Sequence, residues 1–278
     1  MNYNLVIVQP SGYLHSAAFL ELADLIAYSL QDLGHGATIT VNRLEPGSIN
    51  IIFGCHLLER QQPHDVPGST IVMNTEQLLH DSSTATARVF QWAARFETWD
   101  YSESNLRLLE ERGACNPKLL QIGFHPKLVR IRKAAKQDID VLFYGSMGER
   151  RWHVIEQLRQ RGHQVRAVFN SYGKKRDDLI ARSKLVLNVH HYESHIFEIV
   201  RVFYLMTNSK AVVCEVGSTT SIDERHLPGI SAARYDQLAD RCTALLENEA
   251  LRADLEGRAL ATMAGHPQLE FTRALLRS

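Results

Sequence analysis

The sequence predicts an α/β fold made of two parallel-sheet halves that face a central crevice. Short apolar strands alternate with helical segments along the chain, and this alternation is typical of parallel sheets. Several strands of the second half end in glycine or in polar residues directly before a helix. A charged segment without an apolar period, residues 123–137, separates the halves. We therefore expect two domains, residues 1–135 and residues 136–278.

The first half opens with the apolar strand Leu5–Val8 and a polar turn that contains Gly12. Apolar residues at helical spacing then predict a helix from about His15 to Leu33. Further apolar stretches predict strands at Thr38–Val41, Ile49–Phe53, Thr70–Met73, Glu97–Asp100 and Leu119–Ile122.

The second half is most regular between Asp140 and Glu215. It alternates strand and helix, and its first strand breaks at Gly145 and Ser146 before a helix that begins near Arg150. Three helices are predicted to follow, at Tyr235–Leu246, Ala250–Met263 and Leu269–Leu276. The last one comes after Pro267 and carries apolar residues on one face, so we expect that it can cross back to the first half.

The composition is that of a globular protein without a strong charge bias. Of the 278 residues, 45% are hydrophobic, and 31 Lys and Arg balance 31 Asp and Glu, which argues against a nucleic acid partner. The basic stretch from Lys127 to Lys136 is either a solvated linker or a patch that faces phosphate or a membrane surface. The chain has neither a basic leader nor a run of about 20 apolar residues. We expect a cytoplasmic protein, for which peripheral membrane contact stays open.

The turn after the first strand of the second half is the best candidate for a phosphate contact. Gly145 and Ser146 allow close approach of the backbone, and the following helix offers N–H groups together with Arg150 and Arg151. The pattern matches neither a dinucleotide fingerprint nor a P-loop. A plain strand-to-helix turn is the alternative interpretation.

The same residues carry a family resemblance. The segments FYGS, LVLNVHHYE, FEIVRVFYLM and AVVCE, between Asp140 and Glu215, resemble the donor-binding half of GT-B glycosyltransferases. They are most similar to a divergent branch with a spore-maturation-protein-like, glycosyltransferase family 1-like C-terminal domain. IIFGCHLL, IVMNTEQL and WDYSESN in the first half are similar to acceptor-side segments of such enzymes. The resemblance implies two Rossmann-like domains, a nucleotide-diphosphate sugar as co-substrate and no further cofactor.

The resemblance also implies roles for single residues. Glu198, at a helix start, would accept hydrogen bonds from the nucleotide ribose, and Arg201 would be a second anion contact. Asn188 and His190 end the preceding strand, where polar side chains face the ligand; adjacent strand residues point to opposite sides, so at most one of His190 and His191 reaches it. Many GT-B enzymes carry two glutamates with seven residues between them, whereas here Arg201 stands eight positions after Glu193.

Three residues of the first half are candidates for a catalytic base. His15 follows the first strand and its Gly12 turn, where the resemblance implies an acceptor loop. Glu76 and Asp100 each end a strand, and Asn74 stands beside Glu76 on the acceptor side. A carboxylate in such a place can equally cap the next helix.

A metal site is not expected. Asp138 and Asp140 spell the D-x-D motif of metal-dependent sugar transferases, but they precede a strand, whereas ligands gather where parallel strands end. We therefore predict metal-independent transfer of a sugar to an unidentified glycan, lipid-linked or protein acceptor. Two alternatives stay open: a nucleotide-sugar epimerase of the same fold, and a non-catalytic module that binds a glycan or a protein.

Overall fold

The computed structural model describes residues 1–58, 61–78, 83–191 and 196–277. The chain divides into two compact units, one formed by Met1–His125 together with Pro267–Ser278 and the other by Pro126–His266. The division lies between His125 and Pro126 rather than near residue 135. Leu128 anchors the basic segment in the second unit because it is fully buried, whereas most other residues of the segment are exposed.

The first unit is built on a parallel sheet. Within the described residues it has six strands, in the order β2-β1-β3-β4-β5-β6. They are β1 (Asn2–Ile7), β2 (Gly36–Val41), β3 (Ile49–Phe53), β4 (Ile71–Asn74), β5 (Glu97–Asp100) and β6 (Asn116–Leu119). The helices between them are α1 (Leu20–Asp32), α2 (Thr84–Ala93) and α3 (Glu103–Glu111). The central strands are buried on both faces, as expected for a parallel sheet covered by helices.

The helix predicted to begin at His15 begins differently. A 3-10 helix occupies Leu14–Phe19, and α1 starts only at Leu20. Ser16 is buried in this first turn, and its hydroxyl donates to the carbonyl of Val8 at 2.6 Å. That bond ties the tighter helix to the end of β1 and places His15 at the carboxyl edge of the sheet.

The second unit is a smaller parallel sheet. Its described strands follow the order β11-β10-β9-β7-β8. They are β7 (Ile139–Tyr144), β8 (Val165–Val168), β9 (Ser183–Asn188), β10 (Val212–Glu215) and β11 (Ser231–Ala233). The helices are α4 (Glu149–Gln160), α5 (Gly173–Arg182), α6 (Ile199–Thr207), α7 (Leu238–Glu247) and α8 (Glu249–Ala264). Two Rossmann-like parallel-sheet units confirm the predicted fold class.

The final helix, α9 (Gln268–Arg277), belongs to the first unit, although it follows the second unit in the chain. Thr272 meets Ser29 of α1 through a buried hydroxyl–hydroxyl contact of 2.7 Å. The Gln268 side chain accepts from the N–H of Gly123 at 2.7 Å and donates to the carbonyl of Gln121 at 3.1 Å. The buried face is thus partly polar: besides Leu275 it contains Gln268 and Thr272, whereas Leu269, Phe271 and Leu276 are only partly buried.

Across the described ranges, no helix is both long and apolar enough to span a membrane.

Candidate functional site

The turn after β7 requires a glycine. Gly145 has a φ of +140°, and its N–H donates to the carbonyl of Val168 at 3.1 Å. A Cβ at this position would lie 3.2 Å from a guanidinium nitrogen of Arg201. The turn, which precedes α4, therefore places the backbone of Gly145 against the cationic side chain of Arg201 in α6.

Arg151 braces this turn. Its guanidinium is buried; Nε donates to the carbonyl of Val189 at 2.9 Å, and Nη1 donates to the Ser146 carbonyl at 2.8 Å and the Ser146 hydroxyl at 3.1 Å. Its Nη2 lies 3.6 Å from Glu198. Arg151 thus links the ends of β7 and β9 to the start of α6, and its positive charge remains at the edge of the sheet.

Glu198 is the N-cap residue of α6 and the centre of a polar cluster. Asn188 Nδ2 donates to Glu198 Oε2 at 2.7 Å, and His190 Nδ1 lies 3.3 Å from the same oxygen. Burial alone would raise the pKa of Glu198, but the hydrogen bond and charge of His190, with the charges of Arg201 and Arg151, hold that pKa below its ordinary value. The carboxylate is therefore ionised at neutral pH.

His190 is buried between two carboxylates. Its backbone N–H donates to Glu215 Oε2 at 3.0 Å, and its ring faces Glu198. Burial lowers the pKa of His190, but its hydrogen bond with Glu198 and the charges of Glu198 and Glu215 outweigh that effect and raise it. Its Nε2 is buried and has no hydrogen-bond partner in the described part of the chain.

Seven residues separate His190 from Glu198 in the sequence. Glu193, the residue eight positions before Arg201, lies outside the described residues.

Glu215 and Tyr235 complete the cluster, and the sequence did not single them out as site residues. Arg150 forms an ion pair with Glu215, and its guanidinium lies 4.0 Å from the centre of the Tyr235 ring. The Tyr235 hydroxyl donates to the carbonyl of Arg150 at 3.0 Å. The position of Glu215 at the end of β10 was an available signal, because β10 lies beside β9 in the sheet.

Arg201 lies at the same edge of the second sheet, beside residues that end β9 and β7. Its Nη1 donates to Asn188 Oδ1 at 3.3 Å, and its guanidinium lies 5.6 Å from the centre of the Tyr144 ring. His191 has different contacts from His190: its Nδ1 is 3.3 Å from Arg151 Nη1, beside Gly148. The structure thus brings together all the second-unit candidates, namely Gly145, Ser146, Arg150, Arg151, Asn188, His190, Glu198 and Arg201.

In the first unit, Asp100 has a structural environment. It is fully buried and accepts hydrogen bonds from Asn74 Nδ2 at 2.6 Å, Asn105 Nδ2 at 3.0 Å and the Ser102 N–H at 2.8 Å. Burial raises the pKa of Asp100 to about 7, against the effect of these bonds. Both carboxylate oxygens are occupied, so Asp100 ties the ends of β4 and β5 to α3.

Glu76 is the more accessible of the two carboxylates. Its side chain is 39% exposed, and Oε1 lies 3.6 Å from His56 Nε2. Burial, and then the nearby charge of Glu76, raise the pKa of Tyr13, whose ring lies 5.1 Å from that of His15. Glu76 and His15 therefore belong to one neighbourhood, next to the Gly12 turn, where Gly12 has a φ of +76°.

The two aspartates of the D-x-D sequence lie at the start of β7. Asp138 is paired with Arg182, and Asp140 is paired with Lys184 at 2.7 Å. Both are therefore held by cations at the opposite end of the strand from Gly145.

The sequence was compared with family models and with curated proteins. No family model matches the chain. Two curated proteins of Acanthamoeba polyphaga mimivirus are similar: uncharacterized protein L140, 28% identical over 64% of this chain, and uncharacterized protein R358, 27% identical over 54%. The alignments span 59% and 52% of those proteins, so the chain covers less than two thirds of their length.

Solved structures match the chain over its whole length. Anabaena Alr3699/HepE in complex with UDP-glucose has a TM-score of 0.65 at 12% identity, covering 100% of this chain and 99% of that one. Sucrose-phosphate synthase from Thermosynechococcus elongatus has a TM-score of 0.63 at 9% identity, covering 100% and 98%. WaaG, a glycosyltransferase involved in lipopolysaccharide biosynthesis, has a TM-score of 0.59 at 11% identity, covering 98% of both chains. The chain therefore has the fold of GT-B glycosyltransferases.

Proposed function

We propose that the chain is a glycosyltransferase that moves a sugar from a nucleotide-diphosphate sugar to an acceptor hydroxyl. The observation that carries the proposal is the charge at the carboxyl edge of the second sheet. Within the described residues, three arginines and His190 surround two carboxylates, beside a glycine turn and the N-terminus of α6. Four cations against two anions leave an excess of two positive charges with His190 protonated, which suits a diphosphate.

Each polar group has a task in this proposal. Arg201 and the backbone that follows Gly145, where Ser146 and Met147 are exposed, contact the diphosphate, while Arg150 and Arg151 add charge and keep the turn in shape. Glu198 accepts from the ribose hydroxyls, as the family resemblance implies. His190 presents a buried Nε2 that has no hydrogen-bond partner among the described residues, and a protonated Nε2 would donate to the departing oxyanion.

The reaction itself needs few covalent steps. The acceptor oxygen bonds to the anomeric carbon, the bond from that carbon to the phosphate oxygen breaks, and the nucleoside diphosphate leaves with both electrons. The hydroxyl proton passes to a base if the configuration inverts, and Glu76 and His15 of the first unit are the candidates. We propose transfer without a metal ion, in the cytoplasm, to a glycan, a lipid-linked or a protein acceptor.

Several lines support the proposal. HepE and WaaG are similar to this chain over nearly its full length, and the former is described with UDP-glucose. The segments between Asp140 and Glu215 resemble the donor half of the spore-maturation-protein-like branch, in which we place the chain.

The test is a panel of UDP, GDP, ADP and TDP sugars, read by thermal shift and by release of free nucleotide. We expect at least one to raise the melting temperature and to be consumed with an acceptor extract. Arg201→Gln should weaken binding more than tenfold, whereas Arg159→Gln, an arginine of α4 paired with Glu156, should not. If no nucleotide sugar binds, the proposal is wrong. Formation of an epimeric sugar without acceptor would assign an epimerase instead.

A further inference from the structure

A cavity of about 240 Å³ lies in the second unit, away from the site described above. Its lining includes Lys133, Lys210, Glu256, Asn208, Val129 and Ile131. Lys210 stands just before β10, so the cavity lies at the amino end of the sheet, whereas Glu215 closes β10 at the other end. Any ligand of this cavity is therefore distinct from a ligand at Gly145.

Lys210 is a buried cation with too few partners. It is 3% exposed, and its Nζ donates to the carbonyl of Ser183 at 2.7 Å. An ammonium group has three N–H donors, and the hydrogen bond to Ser183 uses one of them. Burial lowers the pKa of Lys210 to about 8. A buried charge without an anionic partner is costly, which indicates that the protein keeps it for a ligand.

Glu256 offers the opposite kind of group to the same space. Its Oε2 is paired with Lys133 at 3.0 Å, whereas Oε1 is buried and lacks a hydrogen-bond donor within the described chain. A buried carboxylate oxygen without a donor has lost its hydration without a replacement hydrogen bond, which is unfavourable. The cavity thus presents unused donors on Lys210 and an unused acceptor on Glu256.

The balance of charge selects the ligand. Lys133 and Lys210 line this space with Glu256 as the single carboxylate of the lining, and Arg252, which lies outside the lining, adds positive charge near Lys210. A phosphate, with several acceptor oxygens and up to two negative charges, fits two lysines better than a single carboxylate does. Glu256 Oε1 needs a hydroxyl or amine donor, and the volume is smaller than the roughly 300–1,000 Å³ of pockets for drug-sized ligands.

We propose that this cavity binds a small hydroxylated phosphate monoester, whose phosphate contacts Lys210 and Lys133 and whose hydroxyl donates to Glu256. The proposal stands independently of the sugar transfer proposed above, because it uses none of the same residues.

The experiment is calorimetric titration of the full chain with glycerol 3-phosphate, and with glycerol and inorganic phosphate as its separate parts. We expect saturable binding of one glycerol 3-phosphate, with each part binding at least tenfold more weakly. Lys210→Met and Lys133→Met should each weaken binding at least tenfold. Lys136→Met, an exposed lysine of the same segment, is the matched control and should bind as the unmodified chain does.

Two further measurements test the roles of the groups. Glu256→Gln should reduce the ratio of the affinity for glycerol 3-phosphate to the affinity for inorganic phosphate. The substitution removes a negative charge that repels both phosphates, and it weakens the acceptor for the hydroxyl group of glycerol 3-phosphate. Affinity should fall as the pH rises through about 8, where Lys210 loses its proton while facing Glu256, Lys133 and Arg252. This pH test needs no variant, so it holds even if Lys210→Met does not fold.

Three results would overturn the proposal. The first is no saturable binding of glycerol 3-phosphate at millimolar concentration. The second is an equal loss in Lys136→Met and in the two cavity variants. The third is binding abolished by Arg201→Gln but kept in Lys210→Met, since that would place the ligand at the Gly145 turn.

Discussion

At the scale of single residues, the two units use buried carboxylates in opposite ways. Glu198 is surrounded by cations, which keep it ionised despite its burial. Asp100 accepts from amide and N–H dipoles alone, and burial prevails over those bonds in raising its pKa. The arrangement around Glu198 keeps a negative charge at the edge of the second sheet. The arrangement around Asp100 holds the ends of β4 and β5 in place.

The Glu198–His190 pair gives a direct prediction. Glu198→Gln removes the anion that raises the pKa of His190, so this pKa should fall, because burial then acts against a weaker attraction. An NMR titration of the His190 ring would measure it. Glu215→Gln is the comparison: Glu215 acts on the ring by charge only, so the decrease should be smaller. An equal or larger decrease with Glu215→Gln would contradict the assignment.

Asp100 should make stability depend on pH. Its folded-state pKa of about 7 lies above the ordinary value of 3.8, so the folded chain binds more protons than the unfolded chain between these values. The contribution is therefore fully present below about pH 4 and is lost as the pH rises through about 7. In urea denaturation, the free energy of unfolding of the unmodified chain, relative to that of Asp100→Asn, should decrease as the pH rises from about 4 through about 7. Glu110→Gln, exposed in α3, should leave the pH profile unchanged.

At the scale of elements, the strand ends were predictable and their partners were not. Apolar runs ending in glycine or polar residues located β7, β9 and β10 because burial on both faces leaves a continuous apolar sequence. Tyr235 packs on Arg150 across 85 residues of chain, and no local pattern encodes such a contact. The 3-10 start at Leu14–Phe19 was missed for a related reason: it depends on the bond from Ser16 to Val8.

The Gly145 turn should be sensitive to substitution. Gly145→Ala would place a Cβ 3.2 Å from the Arg201 guanidinium at a φ of +140°. We expect a loss of about 1–3 kcal/mol in stability and weaker nucleotide binding, measured by denaturation and by calorimetry. Gly257→Ala, at a position in α8 with open space around it, should be neutral or stabilise by up to about 1 kcal/mol. Equal effects would show that the backbone conformation at Gly145 is not what matters.

At the scale of the whole molecule, the sequence predicted two parallel sheets with a division near residue 135, whereas the compact units divide between His125 and Pro126. The segment from Lys127 to Lys136 looked like a linker because its charges hide the periodicity. Leu128 is nevertheless buried, and the N–H groups of Arg130 and Ile131 both donate to the side chain of Asn208. Apolar spacing in a sequence does not reveal hydrogen bonds from backbone N–H groups to a distant side chain. The boundary between the two units could therefore not be located from the sequence.

Removal of residues 267–278 should destabilise the first unit, although these residues are far in sequence from the rest of that unit, Met1–His125. The deletion exposes the face of α1 around Ser29 and leaves the Gly123 N–H without Gln268. We expect a loss of at least ~3 kcal/mol from the lost burial of Leu275 and the unpaired backbone group. Urea denaturation followed through the buried Trp92 and Trp99 reports on this unit. Glu270→Ala, which removes only an exposed ion pair with Arg273, should change little.

The placement of α9 also fixes an order of events during synthesis. Domains are generally completed from the N-terminus as the chain leaves the ribosome. Here the unit that begins at Met1 still lacks α9 when Pro126–His266 has already been translated in full. The second unit can therefore finish folding before the first one. A chain truncated after His266 should protect the second sheet from protease better than the first sheet, because the first unit then lacks α9.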